Sequence, residues 1–197
     1  MRKKRPFVLG LGGTTRDGSS TERVLRVSLA AAEAAGAQTA IFAGSDLGLP
    51  MYQPGNPERD AAAERLIGLF RRLDGIIIAT PAYHGSLSGV VKNALDYTED
   101  LRADERIYFD GCAIGCICCA AGWQAGGPTL IAMRSIAHAL RGWPTPFGAI
   151  INTSLPLFGE SGQLVDESTR MQLALVGRQV AEFAQLRLNS SALSEAA

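Results

Sequence analysis

The chain has 197 residues, 47% of them hydrophobic, and its 19 basic and 19 acidic residues cancel to a net charge of zero. Such a length suits one well-cored globular unit, expected over residues 1–197 with its core at about 6–186. A neutral balance excludes a broad field that would draw nucleic acid or a strongly acidic redox partner.

The basic start, Arg2-Lys3-Lys4-Arg5, has the charge of the first part of a signal peptide. The apolar segment after it, Pro6 to Leu11, runs straight into glycines and is too short for an export core or a membrane span. It reads as a solvated lead-in to a first strand, so the expected location is the cytoplasm, with no membrane partner.

Strands and helices then alternate. Pro6 to Leu11 predicts a buried strand, Thr21 to Ala35 a helix ended by Gly36, and Gln38 to Ala43 a second strand. Gly44 to Pro57, dense in glycine and proline, predicts a long loop, and Glu58 to Leu73 an amphipathic helix. Gly75 to Thr80 is apolar throughout, as a central parallel strand must be. Pro81 to Ser88 then reads as a loop and Gly89 to Tyr97 as a short helix. Gly111 to Ala120 gives a fourth strand, Pro128 to Leu140 a helix, Phe147 to Ile151 a fifth strand and Glu167 to Leu186 a last helix. Asn189 to Ala197 reads as a frayed tail.

This alternation predicts an α/β three-layer sandwich: a five-stranded parallel sheet with helices on both faces. Its expected strand order is the flavodoxin-like 2-1-3-4-5, whose ligand crevice lies at the carboxyl ends of strands one and three. The two unusual loops of the chain, Gly12 to Thr21 and Pro81 to Ser88, fall at those ends.

The first loop carries the chemistry of a phosphate seat. Glycines let the backbone turn sharply, hydroxyls donate hydrogen bonds, Arg16 brings a fixed charge, and the helix start adds unpaired N–H groups. Gly13 to Ser20 is one residue from a P-loop, but Ser19 stands where the lysine is needed. Gly10-x-Gly12-x-x-Thr15 ends in a β-branched residue where a dinucleotide fingerprint needs its third glycine. A terminal phosphate monoester remains, and FMN carries one. A bare strand-to-helix turn with a serine cap is the plainer alternative.

Gly13-Thr14-Thr15-Arg16-Asp17-Gly18-Ser19-Ser20-Thr21 resembles the G-S-x-R-x-x-S phosphate loop of the NADPH-dependent FMN reductase family. Thr80 to Asp96 (TPAYHGSLSGVVKNALD) resembles the same family's flavin loop and following helix, P-x-Y-x-G-S-x-x-G-x-x-K-N-x-L-D. The resemblance implies non-covalent FMN, reduction by NADPH or NADH, and a homodimer or homotetramer. It places the phosphate on Thr14, Arg16, Ser19, Ser20 and Thr21, and the ring along Pro81, Ala82, Tyr83, His84, Gly85 and Ser86. The glycine-rich loop after strand four, with Gly122 and the added Trp123, would complete the pocket. Ala82 and His84 depart from the residues common in the family, glutamate and asparagine. Backbone N–H groups near the ring would stabilise charge on reduced flavin, and hydride transfer needs no catalytic side chain.

Other residues invite chemistry less directly. Cys112-x-x-x-Cys116-x-x-Cys119 has iron–sulfur spacing, but in a strand Cys112, Cys116 and Cys118 point one way and Cys119 the other, which predicts packing and no metal site. His138 reads as a structural histidine on an apolar helix face. Asp96, Glu99, Asp100, Asp104 and Glu105 read as a solvated acidic stretch. Trp123 reads equally as a packing residue or as a wall for an acceptor.

The expected activity is hydride transfer from NADPH or NADH to FMN, and then onward. The acceptor would be free flavin supplied to a monooxygenase, or a quinone, azo compound or metal oxyanion. A flavodoxin-type electron carrier and a nucleotide hydrolase are the alternatives.

Overall fold

The computed structural model describes residues 4–194, with side chains described through Ser190. Arg2 and Lys3 of the lead-in and residues 195–197 of the tail lie outside the described residues. The elements in chain order are β1 (Phe7–Gly12), α1 (Ser20–Ala34), β2 (Gln38–Ala43), α2 (Ala61–Arg72), β3 (Gly75–Tyr83), β4 (Ser86–Leu87) and α3 (Gly89–Asp96). They continue with β5 (Ala113–Ala120), α4 (Gly126–Ala139), β6 (Trp143–Pro144), β7 (Ala149–Asn152) and α5 (Glu167–Ser194).

The parallel sheet runs β2-β1-β3-β5, with β6 and β7 both laid along the far side of β5. The class is as expected, but the order differs in detail: among the described residues the sheet has seven strands in place of five, with β4 folded back on β3 and two short strands, β6 and β7, where one fifth strand was expected. Pro144 and Pro146 have no N–H to donate. The Phe147 N–H goes instead to Gln179 Oε1 on α5 at 3.1 Å, so pairing with β5 restarts only at Ala149.

Side chains alternate along each strand and divide the interior into two cores. Ile76, Ile78, Ile114 and Cys116 face α2, α3 and α4, where Leu66, Phe70, Val91 and Met133 meet them. Ile77, Ala79, Ile117 and Cys119 face α1 and α5, against Val24, Leu25, Val176 and Val180. The two helices on that second face approach closely at Gly177, where a Cβ would lie 2.0 Å from the Ser28 carbonyl oxygen. Ser28 Oγ donates to the Leu173 carbonyl there at 2.9 Å.

Several boundaries differ from expectation, each for a local reason. α2 starts at Ala61 because Asp60 caps it, its Oδ1 accepting from the Ala63 N–H at 2.8 Å. The tail is helical through Ser194, and Gln185 Nε2 donates to Asn189 Oδ1 at 3.2 Å. With neither glycine nor proline between Asn189 and Ser194, nothing breaks the i→i−4 ladder where fraying was expected. Arg5 is tied down, its guanidinium donating to the Gly36 and Ala37 carbonyls at 2.9 and 2.6 Å. Three of the five acids of the acidic stretch are ion-paired: Asp96 with Lys92, Asp100 with Arg59, Asp104 with Arg71. His138 is exposed in the last turn of α4, not set in an apolar face. Among the described residues no helix is long and apolar enough to cross a membrane.

Candidate active site

The route out of β1 can be taken only by glycine. Gly12 has φ +144°, and a Cβ there would sit 1.8 Å from the Ala79 carbonyl oxygen of β3. That carbonyl accepts instead from the Gly13 N–H at 3.0 Å, so the loop leaves the sheet pressed against the neighbouring strand. Thr14 Oγ1 accepts from the Arg16 N–H at 3.2 Å, and Asp17 Oδ1 accepts from the Ser45 N–H at 2.8 Å, which anchors the loop to the segment after β2.

The loop then enters α1 through a reciprocal cap. Ser19 Oγ accepts from the Glu22 N–H at 3.3 Å, and Glu22 Oε2 accepts from the Gly18 N–H at 2.8 Å. The other Glu22 oxygen holds Arg26 at 2.7 Å. The N–H groups of Ser20 and Thr21, at the positive end of a 15-residue helix, have no partner among the described residues.

The second loop is shorter than expected because β3 continues through Tyr83 and turns back into β4. Ala82 pairs with Leu87 and Tyr83 with Ser86, leaving His84 and Gly85 as a two-residue turn with φ of +54° and +81°. Tight hairpin turns that need positive φ at both positions favour asparagine then glycine, so His84 carries backbone strain. Buried Thr80 closes the base of the loop, donating to the Pro81 carbonyl at 3.0 Å and accepting from the Ser88 N–H at 2.9 Å. Asn93, in the following helix, accepts from the Tyr52 N–H at 2.8 Å and pins the loop after β2.

Two adjoining cavities open at this end of the sheet. The first, of about 240 Å³, is lined by Thr14, Arg16, Ser19, Ser20 and Thr21 on one side and Pro81, Ala82 and Tyr83 on the other. The second, of about 680 Å³, is lined by His84, Gly85, Gly122, Trp123, Gln124 and Pro128, and the two share Ala121. Twelve of the thirteen residues singled out from the sequence are therefore brought together, and Ser86 lines neither cavity. Sequence reasoning missed Cys119 and Thr153 in the first cavity. It also missed Asn152, which accepts from the Gly122 N–H at 3.0 Å and from Ser154 Oγ at 2.6 Å and so shapes the rim. The signal was present for Cys119 and Thr153, since both stand at carboxyl ends of parallel strands.

The first cavity fits a phosphate monoester by its donor set. No carboxylate lines it. The Arg16 guanidinium has no ion pair or hydrogen bond among the described residues, and neither has the Ser20 hydroxyl. A guanidinium, hydroxyls and two open helix N–H groups around one space are what a dianion needs and what a simple turn does not. The two nearby acids are committed elsewhere, Glu22 to Gly18 and Arg26 and Asp17 to the Ser45 N–H.

The cysteines do not form a reactive centre. Burial pushes the Cys116 and Cys119 thiols up to about 12 and those of Cys112 and Cys118 up to about 11. Cys112, Cys116 and Cys118 face the α2–α4 core and Cys119 the other, as strand alternation predicts. Among the described residues, no group of three His, Cys, Asp or Glu side chains is placed to hold a metal ion.

The comparisons with known proteins agree with this geometry. The family model described as NADPH-dependent FMN reductase matches residues 6–154. An NADPH azoreductase of Bacillus sp. (strain OY1-2) is 42% identical over 50 residues, a match spanning 25% of this chain and only 28% of that protein. The flavoenzyme FerB, an NAD(P)H:(acceptor) oxidoreductase from Paracoccus denitrificans, superposes with a TM-score of 0.76 at 18% identity, over 92% of this chain and 98% of FerB. A flavodoxin, WrbA-like protein from Agrobacterium tumefaciens superposes with a TM-score of 0.63 at 18% identity, over 93% of this chain and 99% of its own. At that identity the two structures show a shared fold. Because the family model takes in most of the sheet and both site loops, the chain belongs to the NADPH-dependent FMN reductase family.

Proposed function

We propose that the chain holds FMN by its phosphate in the first cavity and reduces a small-molecule acceptor, of the quinone or azo class, in the second. The observation that carries this reading is Arg16: a guanidinium without a protein partner among the described residues, facing a space without a carboxylate. Arg16, the hydroxyls of Thr14, Ser19, Ser20 and Thr21, and the Ser20 and Thr21 N–H groups bind the phosphate and fix the cofactor's position. Pro81, Ala82 and Tyr83 pass along the ring, with His84, Gly85, Gly122 and Trp123 at its open side. Thr80 and the β3–β4 pairing hold that wall rigid, so little order is lost when the ring enters. The chemistry that FMN supplies when bound is two-electron transfer between a nicotinamide nucleotide and an acceptor.

In this reading the chain is one flavodoxin-like domain that works as a homodimer or homotetramer in the cytoplasm. The second cavity, at about 680 Å³ the larger of the two, gives an acceptor room beside the cofactor and favours reduction in place over release of reduced flavin to a monooxygenase.

The test is NADPH and NADH oxidation by the desalted protein, with its visible spectrum recorded, with and without added FMN. The reading expects yellow protein that reduces a quinone or azo dye without added flavin. Colourless protein active only with free FMN would make it a flavin supplier, and failure with every acceptor would make it an electron carrier.

A further inference from the structure

The second cavity combines features that the family resemblance does not supply. Its exposed ring, Trp123, is 63% solvent-accessible although it is the largest apolar side chain in the lining. Its one ionisable side chain is His84, held in a strained left-handed conformation at the tip of the β3–β4 turn. Neither the turn, the loop after β5 nor the start of α4 adds a carboxylate to the lining. α4 begins at this wall with Ala125 in the cap position, making no side-chain hydrogen bond to the first turn. The space therefore offers one flat aromatic face, one group that can carry positive charge and no negative charge.

Backbone strain at an exposed loop tip persists where the side chain is wanted in that place. Asparagine is the usual first residue of such a turn and carries no charge, so the histidine brings to this wall an ionisable ring that the turn does not require. Trp123 left open to solvent is likewise unused by the core, and an indole face is suited to stacking on another ring.

We infer that His84 and Trp123 make this cavity select planar aromatic acceptors that carry an acidic group, such as a sulfonated or carboxylated quinone: the ring stacks on Trp123 and the acidic group pairs with His84. This rests on the reading of the two cavities as cofactor and acceptor sites. The overall reaction is NAD(P)H + H⁺ + quinone giving NAD(P)⁺ + hydroquinone. Two electrons and one proton leave the nicotinamide ring as a hydride equivalent, a solvent proton joins them, and two O–H bonds form on the acceptor.

The experiment compares kcat/KM for 1,4-naphthoquinone-2-sulfonate with that for 1,4-naphthoquinone, using the FMN-loaded protein at pH 6. The ratio of the two values is read in the wild type, His84→Asn and Trp123→Leu, so that effects on cofactor or donor cancel. His84→Asn should lower the ratio about fivefold, the worth of one partly exposed charge pair, and remove its dependence on salt. Trp123→Leu should lower kcat/KM for both quinones about fivefold and leave the ratio unchanged. FMN affinity, titrated separately, tells whether the cofactor reading has failed. A wild-type ratio that is salt-independent and unchanged in His84→Asn, with FMN still bound, overturns the inference.

Discussion

Ser19 and Glu22 hold each other in a closed cap: the Glu22 N–H donates to Ser19 Oγ at 3.3 Å, and the Glu22 carboxylate turns back to the Gly18 N–H at 2.8 Å. The cap uses the donors on the outer side of the helix start and leaves those of Ser20 and Thr21 open toward the cavity. It also pairs the Glu22 carboxylate with Arg26, while Asp17, the other acid of the loop, accepts from the Ser45 N–H. Glu22→Ala should therefore lower stability by about 1–2 kcal/mol, read from the urea midpoint at unchanged slope. FMN affinity of the folded variant should not fall, since the carboxylate takes no part in the cradle. Unchanged stability would mean that the cap is not what holds the loop.

Arg16 is the single fixed charge lining the first cavity. Arg16→Ala should weaken FMN binding by about 1–3 kcal/mol, the range for charge-assisted hydrogen bonds to phosphate. Because the guanidinium has no partner among the described residues, thermal stability without flavin should stay within about 0.5 kcal/mol of the parent. A fluorescence titration that finds the same FMN affinity removes Arg16 from the site.

The thiols should be silent in the native state. All four cysteines are buried, with thiols pushed up to about 11 or 12, so at pH 8 almost no thiolate is present even at Cys119, which borders the first cavity. Ellman's reagent should give no colour with the folded protein and four equivalents after denaturation. Rapid reaction of a native thiol would contradict the packing of β5.

Asp100 makes acid stability predictable in sign. The Arg59 guanidinium, bonded to it at 2.7 and 2.9 Å, holds its carboxyl below the ordinary value of 3.8. Arg59 also lies over the rings of Tyr52 and Tyr97, with the guanidinium carbon 5.1 and 5.5 Å from their centroids, so the pair closes the loop after β2 onto the turn that follows α3. A carboxyl lowered by folding contributes stability that is full above the unfolded value and lost as pH falls through the folded one. Asp100→Asn should accordingly lower Tm at pH 7, and its deficit should shrink as pH drops below 3.8. A deficit that stays constant down to pH 2 would assign the effect to packing instead of charge.

Much of the fold was legible because its strands are apolar runs and its helices have caps. Gly75 to Thr80 could be nothing but a central strand, and the glycines and hydroxyls of Gly12 to Thr21 marked the loop that lines the first cavity. What escaped the sequence depended on contacts between distant segments. The break in the fifth strand is set by Gln179 on α5 taking the Phe147 N–H, and the extension of β3 by pairing with only two residues of β4. Cys119 and Thr153 enter the site because β5 and β7, which lie across β3 from β1, end at the same edge of the sheet as β1, a placement that follows from strand order and not from any local motif. The division of the site residues between two cavities arises from the turn at His84 and Gly85, whose direction depends on positive φ at both.

The most direct measurement is the affinity of the flavin-free protein for FMN and for riboflavin, titrated under one buffer and salt. The two share the ring and ribityl chain and differ only in the phosphate. If Arg16 and the open start of α1 hold that group, FMN should bind at least about tenfold more tightly, the equivalent of one charge-assisted hydrogen bond, and Arg16→Ala should narrow the gap. Equal affinity for the two flavins would contradict the phosphate cradle and, with it, the placement of the cofactor in this cavity.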